Sequence, residues 1–311
     1  MLGRKAMFED FPPYLQLLLF GLFVFVILIM TMLAGVAVAL PFSGKEILNA
    51  FQGETDLMDP ANVGMLKYLQ IVSQLGWFLL PPLLFAWAIS RRPLGYLRLK
   101  TSPNLASLFF GGLAVLAVTP FVGWLAQINA RLDLPEYLQG VENWMRHSEE
   151  QAGELTQTFL SASTWSGFLV NLLMLAVLPA IGEEMFFRGV LLRIFRDWTK
   201  NAHLAVLISS VLFSALHLQF FGFLPRLFLG IFLGYLFVWS GKLWLPVFVH
   251  FVNNGFAVLI MFFYRDELQG QDLESIGSSD HSWVIIGSLV VFCLLMFAFY
   301  ENEKRLARLR E

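Results

Sequence analysis

Residues 14–40 read YLQLLLFGLFVFVILIMTMLAGVAVAL, and none of them is charged. A helix needs about 20 mostly apolar residues to cross the hydrocarbon core of a bilayer. In that medium each backbone N–H and C=O must be satisfied inside its own segment, so a lone stretch of this kind is an α-helix. It is too long for the apolar core of a signal peptide, and no clean small-residue cleavage pattern follows it. The stretch therefore reads as a retained span.

Working outward, seven more apolar stretches follow, at about 66–90, 105–128, 166–195, 203–221, 223–240, 243–264 and 282–300. Pro81-Pro82 should kink the second, and Pro120 interrupts the third. The fourth carries Pro179 and then Gly182 just before a cluster of charges. Of the 311 residues, 57% are hydrophobic and 14% charged. Soluble domains carry about 25% charged residues, so this chain has too few for a water-facing surface of its size. The fold class expected is all-α: a polytopic membrane helix bundle of about eight transmembrane helices, forming one integral membrane domain over residues 1–311. No internal repeat or second soluble domain is visible.

The loops orient the bundle. Arg4 and Lys5 precede the first span. Arg91, Arg92, Arg98 and Lys100 follow the second, Arg193, Arg196 and Lys200 the fourth, Lys242 the sixth, and Lys304, Arg305, Arg308 and Arg310 the eighth. The alternate loops are acidic: Glu46, Glu54, Asp56 and Asp59; Glu136, Glu142, Glu149, Glu150 and Glu154; Asp266, Glu267, Asp272 and Glu274. The positive-inside rule then places both termini in the cytoplasm of a multi-pass cell-membrane protein. Residues 135–160 have the pattern of an amphipathic helix at the interface, and 266–281 are rich in Gly, Ser and Asp. The basic residues are explained by topology, so nothing points to nucleic acid. Cys293 stands alone, which excludes a disulfide framework, and it reads as a small buried apolar residue.

Polar side chains inside spans are costly and default to functional hypotheses. Span four holds Gly182-Glu183-Glu184-Met185-Phe186-Phe187-Arg188-Gly189, span five Phe213-Ser214-Ala215-Leu216-His217, and span seven His250-Phe251-Val252-Asn253-Asn254. Residues four apart share a helix face. Glu184 can therefore pair with Arg188, Phe213 stacks one turn from His217, and His250 presents its ring beside Asn254. Glu183 is turned about 100° from Glu184 and should face something else. Taken singly, each has a bland reading: Glu184–Arg188 as a neutralised structural pair, a histidine or Asn254 as interhelical glue. Four polar groups gathered in one apolar bundle argue for a site. By rise alone, His250 lies roughly 10 Å and His217 roughly 20 Å along their spans, so they converge only if a helix tilts or ends elsewhere. Gly230 and Gly234 form a small-residue step for close helix packing.

A carboxylate stripped of water is a better proton acceptor, which suits Glu183 as a general base. One imidazole can hold a water, and the second with an amide can stabilise an oxyanion. That suffices for hydrolysis of a peptide bond without a covalent nucleophile and without a cofactor. Glu183, His217 and His250 could alternatively bind Zn²⁺, which would supply the activated water. No H-E-x-x-H or G-x-S-x-G is present, and Ser166 and Ser214 lack a glycine-rich elbow. A transporter using the carboxylate as a proton relay is a further alternative, without the paired broken helices such folds show.

Glu183-Glu184-x-x-x-Arg188, Phe213-x-x-x-His217 and His250-x-x-x-Asn254, in this order on successive helices, resemble the three motifs of the CPBP family. That family comprises the type II CAAX prenyl endopeptidases and the bacteriocin-processing or self-immunity proteins. The resemblance implies a glutamate-type intramembrane endopeptidase with a catalytic core over 166–264, acting on a peptide or membrane-protein substrate in the bilayer. It assigns Glu183 to activate water, His217 to help hold it, and His250 and Asn254 to the oxyanion site. Glu184, Arg188 and Phe213 would support them. The alternative is a non-catalytic membrane scaffold or immunity protein that uses the same polar cluster structurally.

Overall fold

The computed structural model describes residues 6–52, 59–161, 163–264, 279 and 281–309. Arg4, Lys5, Glu54, Asp56, Asp266, Glu267, Asp272, Glu274, Arg310 and nearly all of segment 266–281 lie outside the described residues. Among those described, the chain forms helices and no strands. In order they are α1 (Pro13–Ser43), α2 (Glu46–Gln52), α3 (Val63–Ile89), α4 (Pro93–Tyr96), α5 (Leu105–Ala117) and α6 (Thr119–Ala130). There follow α7 (Gln139–Leu160), α8 (Trp165–Thr199), α9 (Ala202–Ala215), α10 (Phe223–Ser240), α11 (Trp244–Phe263) and α12 (Ser282–Arg308).

Each of the eight expected stretches is helical, the third as two helices and the fifth as one of only 14 residues, and the chain is a polytopic membrane helix bundle. Among the described residues six helices are long and apolar enough to cross a bilayer, or seven if α5 and α6, bent by 43°, count as one span. The bend falls just before Pro120. Proline has no N–H for the carbonyl of Leu116, four residues back, and the Thr119 hydroxyl donates to that carbonyl instead at 3.0 Å. The fifth expected span is shorter than drawn, with 14 residues in α9. It stops at Ala215 because Leu218 turns into the left-handed region (φ 54°), and Ser214 spends its hydroxyl on the Phe223 carbonyl at the start of α10, 2.7 Å away.

The middle of α8 is buried on every side, from Met185 through Leu192. A helix apolar all round belongs inside a bundle, and aromatic contacts hold it there. Phe20 of α1 meets Phe186 at 4.9 Å between centroids and Phe85 of α3 at 5.1 Å. The Gly230/Gly234 step is used as expected: a Cβ at Gly234 would lie 2.9 Å from Val206 Cγ1, and one at Gly230 would lie 3.2 Å from the Ser210 Cα. α9 and α10 therefore touch backbone to backbone. Two π turns interrupt α8, at Leu173–Val177 and Met185–Leu191, and a third lies in α3 at Leu75–Leu79.

The loops after α3, α8 and α10 gather at one end. The Leu243 N–H donates to the Arg98 carbonyl at 3.2 Å, the Trp244 indole to Leu99 at 2.9 Å, and Arg193 to the Tyr96 carbonyl at 2.9 Å. Burial pushes the Tyr96 hydroxyl up to about 12, the Arg193 charge opposing. α7 covers the opposite end: the Phe221 N–H donates to Glu149 at 3.1 Å, and Phe159 and Leu160 enter the bundle. Lys242, the basic residue after the sixth expected span, is buried against Glu303 of α12, Nζ to Oε2 3.1 Å. One expectation needs correction. Cys293 is exposed, because α12 packs at the rim and turns most of its apolar surface outward.

Candidate active site

Glu183 and Glu184 end the regular turn between the two π turns of α8. Interruptions of this type are frequent at functional sites because the extra residue re-aims the side chains around it. Glu184 is fully buried and Arg188 nearly so. Arg188 Nη1 donates to Glu184 Oε1 at 2.8 Å, and Nη2 reaches across to the Gly230 carbonyl at 2.9 Å. The guanidinium also stacks 4.9 Å from the Phe213 ring. One side chain thus ties α8 to α9 and α10.

The same Oε1 of Glu184 lies 2.9 Å from His250 Nδ1. The other imidazole nitrogen, Nε2, is 3.9 Å from Glu183 Oε2. The two glutamates therefore do not serve separate neighbours, as the 100° turn between them suggested; they meet opposite edges of one ring. That ring can bridge both positions because it enters from α11 between them. Glu184 Oε1 accepts a hydrogen bond from Nδ1–H, which leaves Nε2 to face Glu183. Glu184 Oε2 has no hydrogen-bond partner among the described residues.

His217 sits beyond the end of α9, in the turn before α10. Its Nδ1 lies 2.7 Å from the Phe213 carbonyl. A carbonyl only accepts, so Nδ1 carries the proton and Nε2 is the acceptor in the neutral ring. The Phe213–His217 ring contact expected from four-residue spacing is present at 5.0 Å, edge to face. The early end of α9 resolves the depth conflict, because His217 rides on the turn rather than on a rigid helix.

Asn254 has a structural task. Pro179 cannot supply an N–H to the carbonyl of Leu175, and the Asn254 side chain donates to that carbonyl at 3.0 Å. Its Oδ1 accepts from Asn253 at 3.1 Å. One N–H of the Asn254 amide remains for another acceptor. Glu183, His217, His250 and Asn254 all line one cavity of about 650 Å³. Ser214 and Ser166 have other partners, Phe223 and Thr164. Among the described residues no three His, Cys, Asp or Glu side chains are set as metal ligands; His217 does not close on the Glu183–His250 pair.

Residues 165–256 match the Rce1-like type II CAAX prenyl endopeptidase family. The match takes in less than a third of the chain and holds every motif residue above. The chain is also 31% identical over 97 residues to the uncharacterised protein YpbD of Bacillus subtilis (strain 168), covering 30% of this chain and 47% of that protein. The chain thus spans about half the length of this curated relative. No solved structure matches it.

The Rce1-like stretch does not supply the whole cavity. Sequence reasoning passed over Arg226 of α10, which lines it with its guanidinium on Gln219, 2.8 and 2.9 Å away. It is a charge inside an apolar run, so the rule that singled out Glu183 also marks it. Gln70, Ser73, Gln74 and Trp77 of α3 line the cavity from outside the Rce1-like stretch. Their spacing was legible, but nothing in it says that α3 faces α8.

Proposed function

We propose that this protein is an intramembrane endopeptidase that hydrolyses a peptide bond with a glutamate-activated water, residues 166–264 forming its catalytic core. The observation that supports this reading is the convergence of Glu183, His217, His250 and Asn254 on one cavity inside an apolar bundle. Glu183 takes a proton from water while the oxygen adds to the scissile carbonyl carbon. His217 holds that water through Nε2. The new oxyanion accepts hydrogen bonds from the second N–H of Asn254 and from His250. In that role His250 carries protons on both nitrogens, Nδ1 toward Glu184 and Nε2 toward the oxyanion. The C–N bond then breaks and the proton on Glu183 passes to the leaving nitrogen. Glu184, Arg188 and Phe213 position His250 and do not touch substrate.

The site would sit in the cell membrane with both chain termini in the cytoplasm. Its substrate would be a peptide or a membrane protein; the matched family's name makes a prenylated C-terminal peptide the first to try. Glu183→Gln should abolish cleavage in detergent while the protein elutes as a folded species, and cleavage that persists would overturn the mechanism. Cleavage should also survive 1,10-phenanthroline. Loss that Zn²⁺ restores would instead make Glu183, His217 and His250 a metal set.

A further inference from the structure

Gln70, Ser73, Gln74 and Trp77 follow the i, i+3, i+4, i+7 spacing of one helix face, and all four line the cavity that holds Glu183. A polar stripe on a membrane helix is unfavourable unless it meets partners. Ser73 spends its hydroxyl on the Gln70 carbonyl, 3.2 Å away. Gln74 Oε1 and Trp77 Nε1 are buried polar atoms without a hydrogen-bond partner among the described residues. One is an acceptor and the other a donor. Three residues apart, they lie on the same face about one turn from each other.

Their level is set by packing. Phe78 closes on Gly182, where a Cβ would stand 3.0 Å from Phe78 Cβ, and it meets Phe186 at 5.3 Å. The neighbours of these two contact residues, Trp77 and Glu183, both open onto the cavity. An extended peptide offers one N–H and one C=O per residue, and each is costly to bury inside the bundle without a partner. Both atoms are covered by their neighbours, so each side chain first turns into the cavity that it lines; a carbonyl can then take the Trp77 N–H, and a backbone N–H can donate to Gln74 Oε1.

We infer that the α3 stripe is a backbone-binding subsite, in which Gln74 and Trp77 hold an extended peptide segment of the substrate beside Glu183. The subsite reads main chain, so it binds unfolded segments with little regard to side chains, and it lies outside the stretch matched to the Rce1-like family. The inference rests on the endopeptidase reading for its purpose but is tested by binding alone.

The Glu183→Gln protein in detergent is exposed to a pool of capped, apolar octapeptides, and retained peptides are identified by mass spectrometry after gel filtration. Retention is expected, and adding Gln74→Leu or Trp77→Phe should lower it about tenfold, the worth of one hydrogen bond. Because a variant could fail to fold, the best-retained octapeptide is also N-methylated at each backbone position in turn. One position should lose about tenfold in affinity, and Gln74→Leu should add nothing to that loss. No retention, retention indifferent to both variants, or an N-methyl scan without a sensitive position would overturn the subsite. Retention as expected with no cleavage by the wild-type protein would leave the subsite standing and overturn the endopeptidase reading.

Discussion

Arg188 is the cation on which the buried polar cluster depends. Its partners are a carboxylate in its own helix and a carbonyl in another, and Glu184 in turn holds His250. Arg188→Ala would leave the Glu184 carboxylate buried without its cation, a loss of about 3–5 kcal/mol. Denaturation in detergent should register it, and adding Glu184→Gln should recover part, since the neutral amide no longer needs that cation. Asn254 allows a sharper separation of roles. Asn254→Leu strands the Leu175 carbonyl and should lower stability by about 1–3 kcal/mol. Adding Pro179→Ala offers that carbonyl a backbone N–H, so stability should return. Cleavage should not return if Asn254 also serves the oxyanion; recovery of both would reduce Asn254 to a helix support. The Glu184–Arg188 pair was legible from four-residue spacing. The Leu175 carbonyl was equally exposed by Pro179 in the sequence, but its partner lies 79 residues away and no local rule selects it.

The helices differ in how much of them was readable. Length and apolarity located every apolar helix, and proline located the α5–α6 bend. The end of α9 was not readable, because its four last apolar residues continue smoothly into Leu216 and Leu218. The helix ends where Leu218 turns into the left-handed region, next to the bond from Ser214 to the start of α10. α7 was recognisable from its mixed polar pattern, and its N-terminal anchoring gives a pH prediction. The Leu134 N–H bonded to Glu142, with Arg146 close by, holds that carboxylate below the usual glutamate range. A lowered folded value stabilises the anchored form above the ordinary glutamate range and loses that stabilisation as pH falls through the lowered value. The protection of the Leu134 amide, its exchange corrected for the intrinsic slowing of amide exchange at lower pH, should therefore fall on acidification, and Glu142→Gln should make that protection independent of pH. Equal protection across that window would show that Glu142 does not fasten the helix.

At the scale of the whole molecule, the last helix is fastened by charge buried in the rim. Lys242 Nζ contacts both Glu303 oxygens, at 3.1 and 3.2 Å, and Asn104 donates to the same carboxylate at 3.2 Å. Glu303→Ala would leave Lys242 buried and unpaired, a loss of about 3–5 kcal/mol. It should appear as a lower unfolding midpoint together with faster proteolysis between α11 and α12. Lys242→Met combined with Glu303→Leu should restore much of it, as buried ion pairs are often replaceable by apolar packing.

Sequence by itself determined the membrane class, the order of the apolar helices, and the residues worth suspecting. Those follow from local rules: how many apolar residues cross a bilayer, and which residues share a helix face. Only the tertiary structure decided that both glutamates meet one imidazole, that His217 sits on a turn, and that α3 brings a polar stripe into the cavity. The reason is physical. Which helices touch depends on small residues and aromatic rings fitting across the bundle, as Gly182 does with Phe78 and Gly230 with Ser210. That fit joins residues far apart in the chain, and no periodicity within a single helix carries it.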